Sequence, residues 1–126
     1  MYKNLVQVAR QIVAIANARE HNQPDGFFSL ANMISSDYDA SYDKQLTEIL
    51  MNLELDEVVT LQTIMYLGRD KDYNSNLTFD EIFLDYKKYI ESLGVKTKEL
   101  EVRQMVGKMP LGEYIADGYA ILGIIL

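Results

Sequence analysis

Apolar side chains recur every three or four positions along nearly the whole chain, in short runs broken by glycine, proline and polar turns. That period belongs to helices, which bury one stripe, and not to strands, which alternate. Val and Ile are common here, but they fall at helical spacing, so a sheet is not expected. The clearest run is Phe79, Ile82, Phe83, Tyr86, Tyr89, Ile90 and Leu93, all predicted on one inner face and closed by Gly94. Thr78 followed three residues later by Glu81 is a capping box for its start. The fold class predicted is all-α, a compact bundle of about six or seven short helices.

The other helices follow from the same spacing. A first runs from about Lys3 to His21, with Leu5, Val8, Ala9, Ile12, Ala16 and Arg19 inward and Val6, Val13 and Ile15 widening the stripe. A short second is expected over Phe27–Ile34, then a polar acidic loop over Ser35–Ser41. A third starts near Ser41 or Asp43 and points Leu46, Ile49, Leu50 and Leu53 inward. The fourth has Asp56 and Glu57 in its first turn, where negative charge suits the helix dipole, and Gly68 as its expected stop. Thr97 caps a sixth, with Leu100, Met105 and Val106 apolar and Gly107 at its end. The seventh begins at Pro110, in the first turn, and turns Leu111, Tyr114, Ile115, Gly118, Leu122 and Ile125 inward. The last residues, Ile121 to Leu126, are apolar on every side and are expected either in the core or in a homodimer contact.

A chain of 126 residues fits one domain, 1–126, and can bury a core without staples. It has no cysteine, which removes disulfides, thiolate metal sites and a cysteine nucleophile. The first segment is too polar for a signal peptide, and the apolar stretch Ala120–Leu126 is far shorter than the about 20 residues a bilayer span needs. A cytoplasmic protein with no membrane role is the expectation.

The net charge is −7, and it is lopsided. Glu20, Asp25, Asp37, Asp39, Asp43, Glu48, Glu54, Asp56 and Glu57 stand against Lys44 alone, so this segment carries −8. Such a face repels phosphate backbones and argues against direct nucleic-acid binding. It reads either as a solvated surface or as a docking surface for a basic partner, with Tyr38, Tyr42 and Tyr73 beside the carboxylates.

Three blocks then suggest a relationship: Ala18-Arg19-Glu20-His21, Tyr66-Leu67-Gly68-Arg69-Asp70 and Pro110-Leu111-Gly112-Glu113-Tyr114-Ile115-Ala116-Asp117-Gly118, together with Leu53 to Glu57. In this order the chain resembles a bacterial family known only as domain of unknown function 3775. The resemblance implies an all-helical domain and carries no activity. The chain departs from the family pattern in its longer turn, Gly68 to Tyr73, and in Gly112, where the pattern has a second leucine.

One stretch overlays a calcium-binding EF-hand loop. Oxygen ligands belong at positions 1, 3, 5, 7, 9 and 12, and Asp70, Asp72, Asn74, Asn76 (through its carbonyl), Thr78 and Glu81 stand there. Against Ca2+, Ser75 replaces the glycine of the sharp turn, where a positive φ costs about 1 kcal/mol or more, and Arg69 brings a positive charge to the site. The competing reading is a polar loop ending in a helix cap. The lone His21 has no partner motif, and the pairs Asp56/Glu57 and Asp80/Glu81 point about 100° apart on a helix, so neither suggests paired acid–base catalysis. The function expected is a non-enzymatic helical module that binds another protein, of adaptor or inhibitor type, with a weak calcium-binding protein as the alternative.

Overall fold

A computed structural model of the chain describes residues 1–21 and 41–126. These residues form a 3₁₀ turn, Tyr2–Leu5, and six α-helices: α1 Val6–His21, α2 Ser41–Met51, α3 Leu55–Asp70, α4 Phe79–Ser92, α5 Lys98–Val106 and α6 Leu111–Ile121. No strand occurs among the described residues, so the chain is an all-α bundle. The helix expected over Phe27–Ile34 and the polar stretch 35–40 lie outside the described residues. No described helix is long and apolar enough to cross a membrane.

α3 is the axis of the bundle. Every residue from Val58 to Met65 is buried, Thr60, Gln62 and Thr63 included, because α6, α4, α5 and the N-terminal turn all pack around it. The hydroxyls of Thr60 and Thr63 donate to carbonyls one turn back, those of Asp56 and Val59, at 2.8 Å each, which lets two polar side chains sit inside. Lys98 caps the end of α2 by donating to the Met51 and Leu53 carbonyls at 2.8 and 3.1 Å. Tyr119 on α6, fully buried, donates to the Tyr2 carbonyl at 2.8 Å and pins the N-terminal turn to the bundle.

Among the described residues α3 and α6 share the most extensive contact, and glycine makes their approach possible. A Cβ on Gly68 would lie 1.9 Å from the Tyr114 carbonyl oxygen, and one on Gly118 would lie 2.0 Å from that of Ile64. This corrects the expectation that Gly68 ends its helix. The helix runs on to Asp70, and Lys71 ends it in the left-handed region (φ 54°), donating to the Leu67 carbonyl at 2.8 Å. Gly112 serves the other side of α6: a Cβ there would meet Asn17 Oδ1 on α1 at 2.2 Å. A leucine there, as in the family pattern, would have to displace the Asn17 side chain. Pro110 stands one residue earlier than expected, as the N-cap of α6.

α4 keeps its capping box. Glu81 N–H donates to Thr78 Oγ1 (3.2 Å) and Thr78 N–H to the Glu81 carboxylate (2.9 Å). Ile82, Phe83, Tyr86 and Ile90 are buried as expected, but Phe79 is 54% exposed, Tyr89 53% and Leu93 65%. The bundle grips α4 over its middle, where the Tyr2 and Phe83 rings stand 4.7 Å apart. Phe79, at the first residue, reaches only the C-terminal turn at Gly123, and Tyr89 and Leu93 lie at the edge and end of that grip. In α5 the phase is shifted likewise: Leu100 is exposed and Glu101 buried. The C-terminal stretch divides, with Leu122 buried and Ile125 77% exposed.

The crossing sets the sign of a substitution at Gly68. In a helix interior clear of neighbours, Gly68→Ala would stabilise by up to about 1 kcal/mol. At a backbone crossing we expect the substitution to cost about 1–3 kcal/mol or more, a fall in Tm of several degrees by thermal melting. An unchanged or raised Tm would refute the crossing.

Candidate functional site

The polar groups at the helix ends meet at one point. Arg19, buried near the end of α1, donates through Nη1 to Asp43 Oδ1 (2.8 Å) at the start of α2 and to the Val106 carbonyl (2.6 Å) at the end of α5. Its Nη2 donates to the Lys108 carbonyl (3.0 Å) and to Glu20 Oε1 (3.3 Å). The same Glu20 oxygen accepts the Leu111 N–H at 2.9 Å, at the first residue of α6. Two adjacent residues thus join the ends of four helices. Two of the family-like blocks, Ala18–His21 and Pro110–Gly118, meet here, and the third reaches α6 through Gly68.

Part of the acidic segment is engaged at this junction and beside it. Glu20 and Asp43 are spent on Arg19, Asp56 accepts from the buried ammonium of Lys87 at 2.7 Å, and Glu57 accepts the Glu54 N–H at 2.9 Å. Glu48 and Glu54 remain exposed, while Asp25, Asp37, Asp39 and Tyr38 lie outside the described residues. His21 is exposed at the end of α1.

The six EF-hand positions are likewise committed elsewhere or open. Asp70 accepts from Arg69 Nε at 2.8 Å and from the Tyr86 hydroxyl. Asp72 is exposed. Asn74 Oδ1 accepts the Asn76 N–H at 3.0 Å, a local turn, and the carbonyl of Asn74 accepts from Leu77 at 3.1 Å. Thr78 and Glu81 serve the α4 cap, and Lys71 is drawn to Asp117 on α6 at 3.1 Å. Among the described residues no group of three or more His, Asp or Glu side chains is placed to hold a metal ion.

Arg69 and, more weakly, the Tyr86 hydroxyl hold the Asp70 carboxyl below the usual carboxylate range, against the effect of burial. The Thr78 N–H and hydroxyl do the same for Glu81. Burial first, then the bond to Asp70, raises the Tyr86 phenol.

The surface left open to a ligand lies along α4. Phe79, Leu84, Tyr89 and Leu93 are exposed apolar residues, set among exposed Asp80, Glu81, Asp85 and Glu91 with Lys88. Leu84 and Tyr89 are five residues apart, about 140° around a helix, so α4 presents two flanks. On the Leu84 flank is a cleft of about 270 Å³ lined by Met1, Tyr2, Lys3, Asp80, Phe83 and Leu84. Burial beneath it and the bond to Asp80 push the Tyr2 phenol up to about 12. Periodicity alone passed over Leu84, although a leucine between inward Phe83 and polar Asp85 is out of phase with the helix, and that break was its signal.

No family model matches the chain, and no curated protein and no solved structure does. The likeness to domain of unknown function 3775 rests on its motifs.

Two expectations follow for this loop. Carboxyls with depressed folded values stabilise the fold above the unfolded carboxyl range, about pH 4, and that stability is lost as pH falls through the folded values. Asp70 and Glu81 both have this sign, so acid should lower Tm, and Asp70→Asn should flatten the acid limb while lowering Tm at neutral pH. Glu81→Ala should lower Tm equally with and without millimolar calcium, because it removes a cap. A calcium-dependent rise in Tm that this variant abolishes would support the EF-hand reading instead.

Proposed function

We propose that the chain is a non-enzymatic helical interaction module of the cytoplasm, an adaptor or inhibitor, that docks a basic protein on α4. The observation that carries this reading is the exposure of Phe79, Tyr89 and Leu93, three large side chains on a face the sequence would bury, on a helix that also exposes Asp80, Glu81, Asp85 and Glu91. Interfaces are built this way, with apolar anchors inside a polar rim. The buried ionic groups are bonded to helix ends and to one another, which suits architecture better than chemistry. With a net charge of −7, the protein attracts basic partners over a distance and repels nucleic acid.

A photo-cross-linking residue at Tyr89, compared with one at the exposed Glu48 of α2, tests the proposal in the native host. The expected result is a discrete adduct from position 89 alone. Its captured protein should be basic, and the adduct should be lost with Leu93→Asp and weakened by salt. An adduct with a second copy of this chain would replace the basic partner by a homodimer. No adduct, or the same adduct from position 48, would overturn the docking surface.

A further inference from the structure

We infer that α4 is a separately opening unit: it lifts from the bundle, baring its own buried face and the side of α3 beneath it, while α1, α2, α3, α5 and α6 stay packed. The inference is independent of the docking surface.

The ties that hold the other helices leave α4 out. Arg19 and Glu20 join the ends of α1, α2, α5 and α6, and the glycine crossing joins α3 to α6. Among the described residues α1 packs extensively on α2 and α6, α2 on α1 and α5, and α5 on α2 and α3, whereas α4 packs so on α3 alone. Beyond that helix α4 meets turns, with Phe83 against Tyr2 and Phe79 beside Gly123.

What fastens α4 is one apolar strip and three aspartates. Ile82, Phe83, Tyr86 and Ile90 are buried. Three hydrogen bonds between α4 and its surroundings end on carboxylates: Asp80 accepts from Tyr2 at 2.6 Å, Asp70 from the Tyr86 hydroxyl, and Asp56 from Lys87 at 2.7 Å. Solvent reaches two of these acceptors freely, Asp56 at 65% and Asp80 at 66% exposure, against 4% for Arg19 at the helix junction. Bonds at such a rim are readily exchanged for bonds to water.

The connections on either side resist little. Residues 71–76 and 93–97 are exposed throughout, and Gly94 takes a positive φ of 94° with open space around it. Lys71 ties the start of the first connection to Asp117 at 3.1 Å, so the chain is free to swing from the residues after it. Once released, a helix of 14 residues is marginal in water, and its amides lose their protection.

The test is native-state hydrogen exchange of the full chain, read amide by amide by NMR at neutral pH. The amides of Phe83, Tyr86 and Ile90 should exchange through one common opening, at least tenfold faster than the slowest amides of α3 and α6. Ile12→Val trims a fully buried side chain of α1 that stays packed when α4 is released. It should speed the slowest amides of α3 and α6 roughly two- to tenfold and leave those of α4 unchanged. Tyr86→Phe removes a bond that is broken both in release of α4 and in global unfolding, so it should speed both sets a few-fold. Exchange of α4 in step with α3 and α6, acceleration of α4 by Ile12→Val, or no effect of Tyr86→Phe on α4 would overturn the proposal.

Discussion

The backbones of α3 and α6 touch where Gly68 and Gly118 cross, and most of the structure is placed by that contact. With a Cβ on either glycine less than 3 Å from the opposing backbone, the helices could not approach without moving apart along their length. Their closeness seats Ile64 and Leu67 against α6 and leaves all of Val58–Met65 dry. On its other flank α6 meets α1 through Gly112, six residues from Gly118 and about 120° around the helix. Small residues on two sides make α6 a thin partition between α1 and α3. Its Tyr119 then holds the N-terminal turn, which in turn covers Phe83 and forms the floor of the α4 cleft.

Thin spacing leaves little room for water, so ionic groups inside must bond to protein. A buried guanidinium that loses its partners costs several kcal/mol, and Arg19 therefore finds a carboxylate at Asp43, two carbonyls at helix ends, and Glu20. The Val106 carbonyl is one that a helix C-terminus leaves unpaired and the Lys108 carbonyl lies in the connection after it, so one charge answers both. Arg19 Nε, Glu20 Oε2 and Gln62 Oε1 are buried with no hydrogen-bond partner among the described residues. Ordered water is the usual remedy for such atoms. The same need engages part of the acidic stretch: Asp43 and Asp56 are the counter-charges of the buried cations Arg19 and Lys87.

Much of this could be read in the chain beforehand, and the failures have physical causes. Periodicity identified the helices and the inward direction of Ile12, Leu46, Leu50, Ile64, Phe83 and Met105, because burial of one stripe is a local property of a helix. It said nothing of how far a neighbour extends, so Phe79, Tyr89 and Leu93 were placed inside although more than half of each stands exposed. Gly68 carried one letter with two meanings, a stop or a crossing, and only the position of α6 decides between them. The oxygen-rich stretch from Asp70 to Glu81 was legible as residue types, but Arg69, Tyr86 and the Thr78 N–H compete for the same oxygens. Thr97 and the Thr78 box were read correctly because a cap depends on three or four consecutive residues and little else.

What remains exposed on α4 also limits how a partner can bind. Full burial of a large apolar side chain yields about 1.5–3 kcal/mol. Phe79, Tyr89 and Leu93 are already partly covered, so each has about 1 kcal/mol or somewhat more still to give. Three such residues supply a few kcal/mol, against the roughly 4–15 kcal/mol that association costs in lost motion. Apolar contact alone is therefore too weak to hold a partner on this surface. The balance has to come from a few strong polar anchors and from the attraction of unlike charges, and the carboxylates of Asp80, Asp85 and Glu91 supply the negative half.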